Sequence, residues 1–239
     1  MVSRQSNGAT ALGRNSEVVR QHNLSAVLQL VHRNQEISRS QLAAQTGLNR
    51  STISDLVEEL GNLGLVSEGA ATVKDKVGRP SLVVTAAHDV IAYSVHPEYD
   101  FLAVSAVALS GKVLCEERVT YQPGTEPQQV VRETTRLIAK LSRQLPSTAK
   151  IVGVGVAVPG QVNVVEGVVR LAPHLGWEEL PLAKMLEAEL GLPVYIGNDA
   201  SLGCMAESFY GAARNFTDVV YVFGGSGIGG GVISGGVQV

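Results

Sequence analysis

The sequence is poor in cysteine and has no long apolar run. Its two cysteines, Cys115 and Cys204, lie far apart with no CxxC spacing. That excludes a disulfide framework and a cysteine-rich zinc site within the chain, and no cofactor is expected in it. The densest apolar stretch, Ile151 to Val158, is eight residues long and includes two glycines. A membrane span needs ~18. Residues 1–15 are polar and lack the apolar core of a secretory signal, so a cytoplasmic protein with a disordered N-terminal tail is expected. There is no internal repeat, and no biased tract beyond a glycine-rich end. What remains is a chain of 239 residues, 45% apolar and 17% charged. That supports a sizeable core in one or two domains at ~150 residues each.

The net charge of −3 hides an asymmetry. Residues 1–54 carry six arginines (4, 14, 20, 33, 39 and 50) against Glu17 and Glu36, a net of +4. Residues 81–239 carry ten Lys/Arg against fifteen Asp/Glu, a net of −5. A basic segment ahead of an acidic body suits a polyanion-binding module joined to something else. Glycine is uneven too: seventeen of 26 fall in residues 153–239.

Leu24, Val27, Leu28 and Val31 follow i, i+3, i+4, i+7, which predicts a helix from about Glu17 to Arg33. Ser38-Arg39-Ser40-Gln41 is a capping-box pattern opening a short helix that ends at Thr46-Gly47. Asn49 caps a third helix with Ile53, Leu56, Val57 and Leu60 as its buried stripe, stopped by Gly61 and Gly64. Helix, short helix, glycine turn and helix make a helix-turn-helix. Leu65–Ser67 and Leu82–Val84 read as two strands of a wing with Lys74, Lys76, Gly78, Arg79 and Pro80 between them. In such a module the start of the last helix meets base edges. The candidate DNA contacts are therefore Arg39, Asn49, Arg50, Ser51, Thr52 and Ser54, with Lys74, Lys76 and Arg79 on the wing. Arginine can bond guanine O6/N7, and the hydroxyls can bond bases or phosphates. A small helical bundle with a solvated charged face is the alternative. Agreement of spacing, turn, caps and wing favours the DNA-binding module, with boundaries at 16–86.

From residue 87 the pattern is that of a mixed-sheet α/β domain. Val90–Val95, Phe101–Leu109 and Lys112–Val119 predict three strands. A helix follows Pro127, Ile151–Val158 is a buried strand, and Leu182–Leu190 is helical. Val194–Ile196 leads into Asn198-Asp199 and a helix to about Gly211. Val219–Phe223 and Ile228–Ile233 flank a glycine-rich turn. Asp199 sits where ligands of α/β sheets gather. It can accept a sugar hydroxyl or serve as a base, but it can equally be a helix cap. The Gly224–Gly231 run can cradle phosphate or simply form a hairpin.

These residues resemble the ROK family of repressors and sugar kinases. The matching pieces are Gly153–Gly160, Gly167, Leu171–Trp177, Leu190–Val194, Asn198-Asp199-Ala200 and Gly225–Gly231. The N-terminal winged helix resembles the repressor branch. The resemblance implies an actin-like, ribonuclease-H-type fold holding sugar between two lobes, with Gly160, Gln161, Asn198 and Asp199 as sugar contacts. In kinase members the aspartate matching Asp199 is the catalytic base. The family's Asp-x-Gly-Gly-Thr phosphate loop is here Ser94-Val95-His96-Pro97-Glu98, and a second family aspartate is Ala108. A carboxylate at Glu98 would repel phosphate, so kinase chemistry is expected to be lost. The Glu-x-Gly-His sugar motif and the zinc cysteines of the family do not occur in the sequence. The chain is therefore expected to be C-terminally truncated, with one lobe complete, the second only begun, and the sugar domain incomplete over 87–239. The expected function is a sugar-responsive DNA-binding regulator. It would have a double-stranded DNA operator, a small sugar or sugar-phosphate effector and, at full length, a second copy as partners. A sugar kinase with a DNA-binding head, and a DNA-binding protein without effector response, are the alternatives. The Val219–Val239 hairpin is expected to lack neighbours.

Overall fold

Helix starts and stops in the first third of the chain follow from local chemistry. In the computed structural model, which describes residues 8–70, 82–122, 124–225 and 227–239, α1 (Gly8–Asn34) comes first. It begins inside the stretch expected to be a disordered tail. Ala9, Ala11, Leu12 and Arg14 are good helix formers, and lengthening an existing helix needs no new nucleus. Residues 1–7 lie outside the described residues. After β1 (Glu36–Ile37), the capping box opens α2 (Arg39–Thr46). The Gln41 N–H donates to Ser38 Oγ (3.3 Å) and the Ser38 N–H to Gln41 Oε1 (2.9 Å). Gly47 closes it in the left-handed region, φ 71°.

Helix α3 (Arg50–Asn62) buries Ile53, Leu56, Val57 and Leu60 as their spacing predicts. Each such burial is worth about 1.5–3 kcal/mol. Gly61 does not stop the helix; it lies within it. The stop is at Gly64 (φ 70°), where the N–H groups of Gly64 and Leu65 return to the carbonyls of Gly61 (2.9 Å) and Leu60 (2.9 Å). That is a Schellman ending, which needs its left-handed residue after the last turn. β2 (Val66–Ala70) and β3 (Leu82–Ala86) complete an antiparallel sheet in the order β1-β3-β2. The first compact unit ends at Ala87.

In the second unit, β4 (Val90–Pro97), β5 (Phe101–Ala108) and β6 (Val113–Thr120) form an antiparallel meander. Helix α4 (Pro127–Ser142) has proline at its first position, where the missing N–H has no partner to lose. It crosses to β7 (Lys150–Val158), parallel to β4. Three short strands follow: β8 (Gln161–Asn163), β9 (Val168–Ala172) and β10 (Trp177–Leu180), antiparallel to one another. Helix α5 (Leu182–Leu190) then leads to β11 (Val194–Asn198), parallel to β7. The main sheet reads β11-β7-β4-β5-β6. This is the ribonuclease-H-type arrangement that the resemblance implies. Tyr93, Val95, Leu102 and Val104 of the sheet, with Leu137 and Leu141 of α4 and Leu186 of α5, belong to one buried core. The Tyr93 hydroxyl ties to Ser142 Oγ at 2.7 Å.

Helix α6 (Asp199–Tyr210) leads into a second sheet of β12 (Val219–Gly224), β13 (Ile228–Ser234) and β14 (Val237–Gln238). The expectation that this hairpin lacks neighbours holds for one face only. Its other face packs on α6, because small residues let the two backbones approach. A Cβ on Gly231 would fall 2.5 Å from Cys204 Cβ, and one on Gly229 would fall 2.9 Å from Ala200 Cβ. Those two glycines serve packing. The outer face leaves Val220, Val222 and Ile228 exposed, at 77%, 73% and 92%.

Candidate functional site

Two candidate sites sit at helix N-termini. In the first, Asn49 precedes α3 in extended backbone, and its Oδ1 accepts the Thr52 N–H at 2.8 Å. Ser51 Oγ also donates to Asn49 Oδ1 (2.7 Å), and Ser54 Oγ donates to the Arg50 carbonyl (3.0 Å). Much of the expected polar face is therefore engaged in building the helix start. Arg50 is exposed and has no ion pair among the described residues. Arg39 differs: its Nε and Nη2 donate to Glu68 Oε1 (2.7 Å) and Oε2 (2.5 Å) on β2. That carboxylate raises the Arg39 pKa. Arg39 thus clamps α2 to the sheet, and its charge is already partly matched. Lys74, Lys76 and Arg79 lie outside the described residues.

The second site is a cleft of about 230 Å³ between the β4–β5 turn and the loops after β7 and β9 on one side, and α6 with the β12–β13 hairpin on the other. Asn198 and Asp199 line it with Gly160, His174, Glu98 and Ile228. Asn198, not Asp199, caps α6: its Oδ1 accepts the Ser201 N–H at 2.9 Å. Its Nδ2 reaches the Gly160 carbonyl (2.9 Å) and Asp199 Oδ1 (3.1 Å). The same Asp199 oxygen accepts the Ala200 N–H at 2.8 Å. Gly160, at φ 155°, is pressed so closely against β9 that a Cβ would stand 2.4 Å from the Leu171 carbonyl oxygen. Gln161 is exposed at the start of β8 and does not line the cleft. The turn of the glycine-rich hairpin closes on itself, the Gly225 N–H donating to the Gly227 carbonyl at 2.9 Å.

Glu98 enters the cleft where the resemblance places a phosphate loop. It is 7% exposed. Its N–H donates to the Phe101 carbonyl (2.8 Å), and the Tyr121 hydroxyl donates to its carbonyl (2.6 Å). Burial, helped by Glu98 and Asp100, pushes the Tyr121 pKa far up, so this phenol stays a donor at any ordinary pH. His96 Nε2 lies 3.5 Å from Glu98 Oε1. One donor atom from each of His96, Glu98 and Asp199 falls within 4.8 Å of the others, a donor set that suits a divalent cation. From the sequence, Glu98 reads only as an obstacle to phosphate, and neither His96 nor His174 is marked as a cleft residue. The signal for His174 was its place inside Leu171–Trp177.

The sequence profile of the ROK family matches residues 100–239, well over half of the chain, and that of a winged helix-turn-helix DNA-binding module matches residues 21–67. The chain belongs to the ROK family. A xylose repressor of Caldicellulosiruptor bescii is 32% identical over 221 residues, covering 92% of this chain and 55% of that one. The transcriptional dual regulator NagC of Escherichia coli is 26% identical over 225 residues, covering 93% and 55%. This ROK chain thus spans about half the length of the curated relatives it matches. A solved ROK family transcriptional regulator, a homologue of the E. coli MLC protein, shares the fold with a TM-score of 0.74 at 22% identity, over 92% of this chain and 56% of that one. A ROK family glucokinase from Streptomyces griseus, solved with glucose and AMPPNP, overlays 62% of this chain and 46% of its own at TM-score 0.53 and 26% identity. Among the described residues, no helix is long and apolar enough to cross a membrane.

Proposed function

We propose that the full-length protein is a sugar-responsive transcriptional repressor of carbohydrate-uptake or catabolic genes, acting in the cytoplasm as a homodimer and not as an enzyme. One observation carries the reading. A helix-turn-helix whose exposed Arg50 has no ion pair among the described residues is joined, in one chain, to a kinase-type lobe that keeps Gly160, Asn198 and Asp199 but has Glu98 where a phosphate loop belongs. Repressors among the relatives support it.

Arg50 would bond a guanine edge in the major groove, while Ser51, Thr52 and the wing residues Lys74, Lys76 and Arg79 would meet backbone phosphates. Asp199 would accept a sugar hydroxyl, oriented by the Asn198 amide, which also carries the Gly160 loop. Sugar binding would favour one geometry of the cleft and thereby one spacing of the two DNA-binding heads.

The test is a gel shift at fixed salt on operator DNA selected by this protein, with and without a sugar panel. Arg50→Ala is expected to weaken specific binding by about 1–3 kcal/mol, and one sugar is expected to release wild-type protein. Unchanged binding by Arg50→Ala would remove α3 from the interface. Stoichiometric ATP-dependent sugar phosphorylation, lost in Asp199→Asn, would make the protein a kinase instead.

A further inference from the structure

We infer that Glu98 sets the effector class: the cleft takes an uncharged sugar and rejects its phosphate ester. The inference rests on the sugar-cleft reading above and deepens it. It stands on charge placement and packing. Two carboxylates, Glu98 and Asp199, bring oxygens within 4.8 Å of one another across the cleft, with His96 beside them. Among the described residues no lysine or arginine lines this space. A bound phosphate of charge about −1.5 to −2 would meet two anions and no obligate cation.

The Glu98 carboxylate cannot swing away cheaply. The backbone around it is fixed at both ends, by the Phe101 carbonyl and by the Tyr121 hydroxyl. One carboxylate oxygen also faces the Tyr99 N–H at 3.3 Å, and the other faces His96 Nε2 at 3.5 Å. Three backbone donors beside the cleft are also committed. The Gly225 N–H turns inward to Gly227, and the N–H groups of Ala200 and Ser201 at the start of α6 are taken by Asp199 and Asn198. A neutral polyol suits the same surroundings, because carboxylate oxygens accept from hydroxyls without opposing charge.

Calorimetry on the full chain tests this with xylose, glucose and N-acetylglucosamine, and with the 6-phosphates of the last two. At least one neutral sugar is expected to bind. Where that sugar is glucose or N-acetylglucosamine, its 6-phosphate is expected to bind at least about 30-fold more weakly, since like charges juxtaposed at a site cost several kcal/mol. Where it is xylose, both 6-phosphates are expected to bind at least as weakly relative to xylose. Glu98→Gln keeps the shape and is expected to narrow that gap by raising phosphate affinity, with Asp199→Asn acting in the same direction. Glu189→Gln, an exposed charge elsewhere, is expected to leave the gap unchanged. A 6-phosphate that binds as tightly as the neutral sugar overturns the inference while leaving the sugar cleft standing. A gap that Glu98→Gln and Asp199→Asn both leave intact overturns it as well. No binding by any of the five compounds removes the cleft reading itself, and this inference with it.

Discussion

Helices α3 and α6 begin alike and then diverge. Each is preceded by an asparagine whose Oδ1 accepts the N–H three residues on, Asn49 from Thr52 and Asn198 from Ser201. Each asparagine is followed by a charged residue, Arg50 in one case and Asp199 in the other. The signs are opposite. A helix N-terminus carries about half a positive charge, so an anion there stabilises the helix and a cation does not. Asp199 serves its own helix, also accepting the Ala200 N–H. Arg50 has no such local purpose. Ligand chemistry and folding chemistry separate at a helix start: a residue that the dipole disfavours is a candidate for a role outside the helix.

The largest effect that would break the symmetry is at Gly160. Gly160→Ala places a Cβ 2.4 Å from the Leu171 carbonyl oxygen and displaces the partner of Asn198 Nδ2. A loss of about 3 kcal/mol in the second unit is expected, with sugar binding abolished. Urea unfolding followed by Trp177 fluorescence reads it, and an unchanged midpoint would show that β9 yields. Next comes Arg50→Ala. Operator affinity is expected to fall by about 1–3 kcal/mol, with thermal stability unchanged or slightly higher. A stability loss equal to that of Asp199→Ala would erase the distinction between the two helices. Smaller are the caps themselves: Asn49→Ala and Asn198→Ala are each expected to cost about 1 kcal/mol. Only the second should also weaken sugar binding, because only Asn198 uses its amide nitrogen on the cleft.

The smallest effect concerns Asp218. The Gly235 N–H, Ser234 and Thr217 hold its carboxyl below the ordinary range. A lowered folded-state pKa gives stability that is present above the unfolded value of about 3.9 and is lost as pH falls through the folded one. Hydrogen exchange at Gly235 should therefore accelerate beyond its intrinsic pH trend below about pH 4 in the wild type, and this extra acceleration should vanish in Asp218→Asn.

Legibility in the sequence followed the range of the forces. The α3 stripe, the Ser38 box and the Asn49 cap depend on residues three or four apart, and the sequence displays them directly. The short strands β8, β9, β10 and β14 were missed, since pairing with distant partners makes them. In β10, Trp177-Glu178-Glu179-Leu180 has no alternation, and Glu179 sits at φ 45°. Gly61 misled because glycine weakens a helix without ending it, and only the Gly64 hydrogen bonds show where the chain turns. In the cleft, Asn198, Asp199 and Gly160 were legible through family motifs. Glu98 became a lining residue only when the β4–β5 turn brought it opposite α6. The glycine run pointed to phosphate, whereas Gly229 and Gly231 answer to Ala200 and Cys204 on the helix behind them.

That last contact turns a scarce residue into a clock. Cys204 is fully buried where α6 meets Gly231, while Cys115 is half-buried on β6 with its thiol pushed up by burial. A thiol reagent therefore samples two different events. Cys115 reports on the sheet surface, slowly, because little of it is thiolate at neutral pH. Cys204 becomes accessible when the helix lifts from the hairpin, so its alkylation rate measures how often those two elements separate.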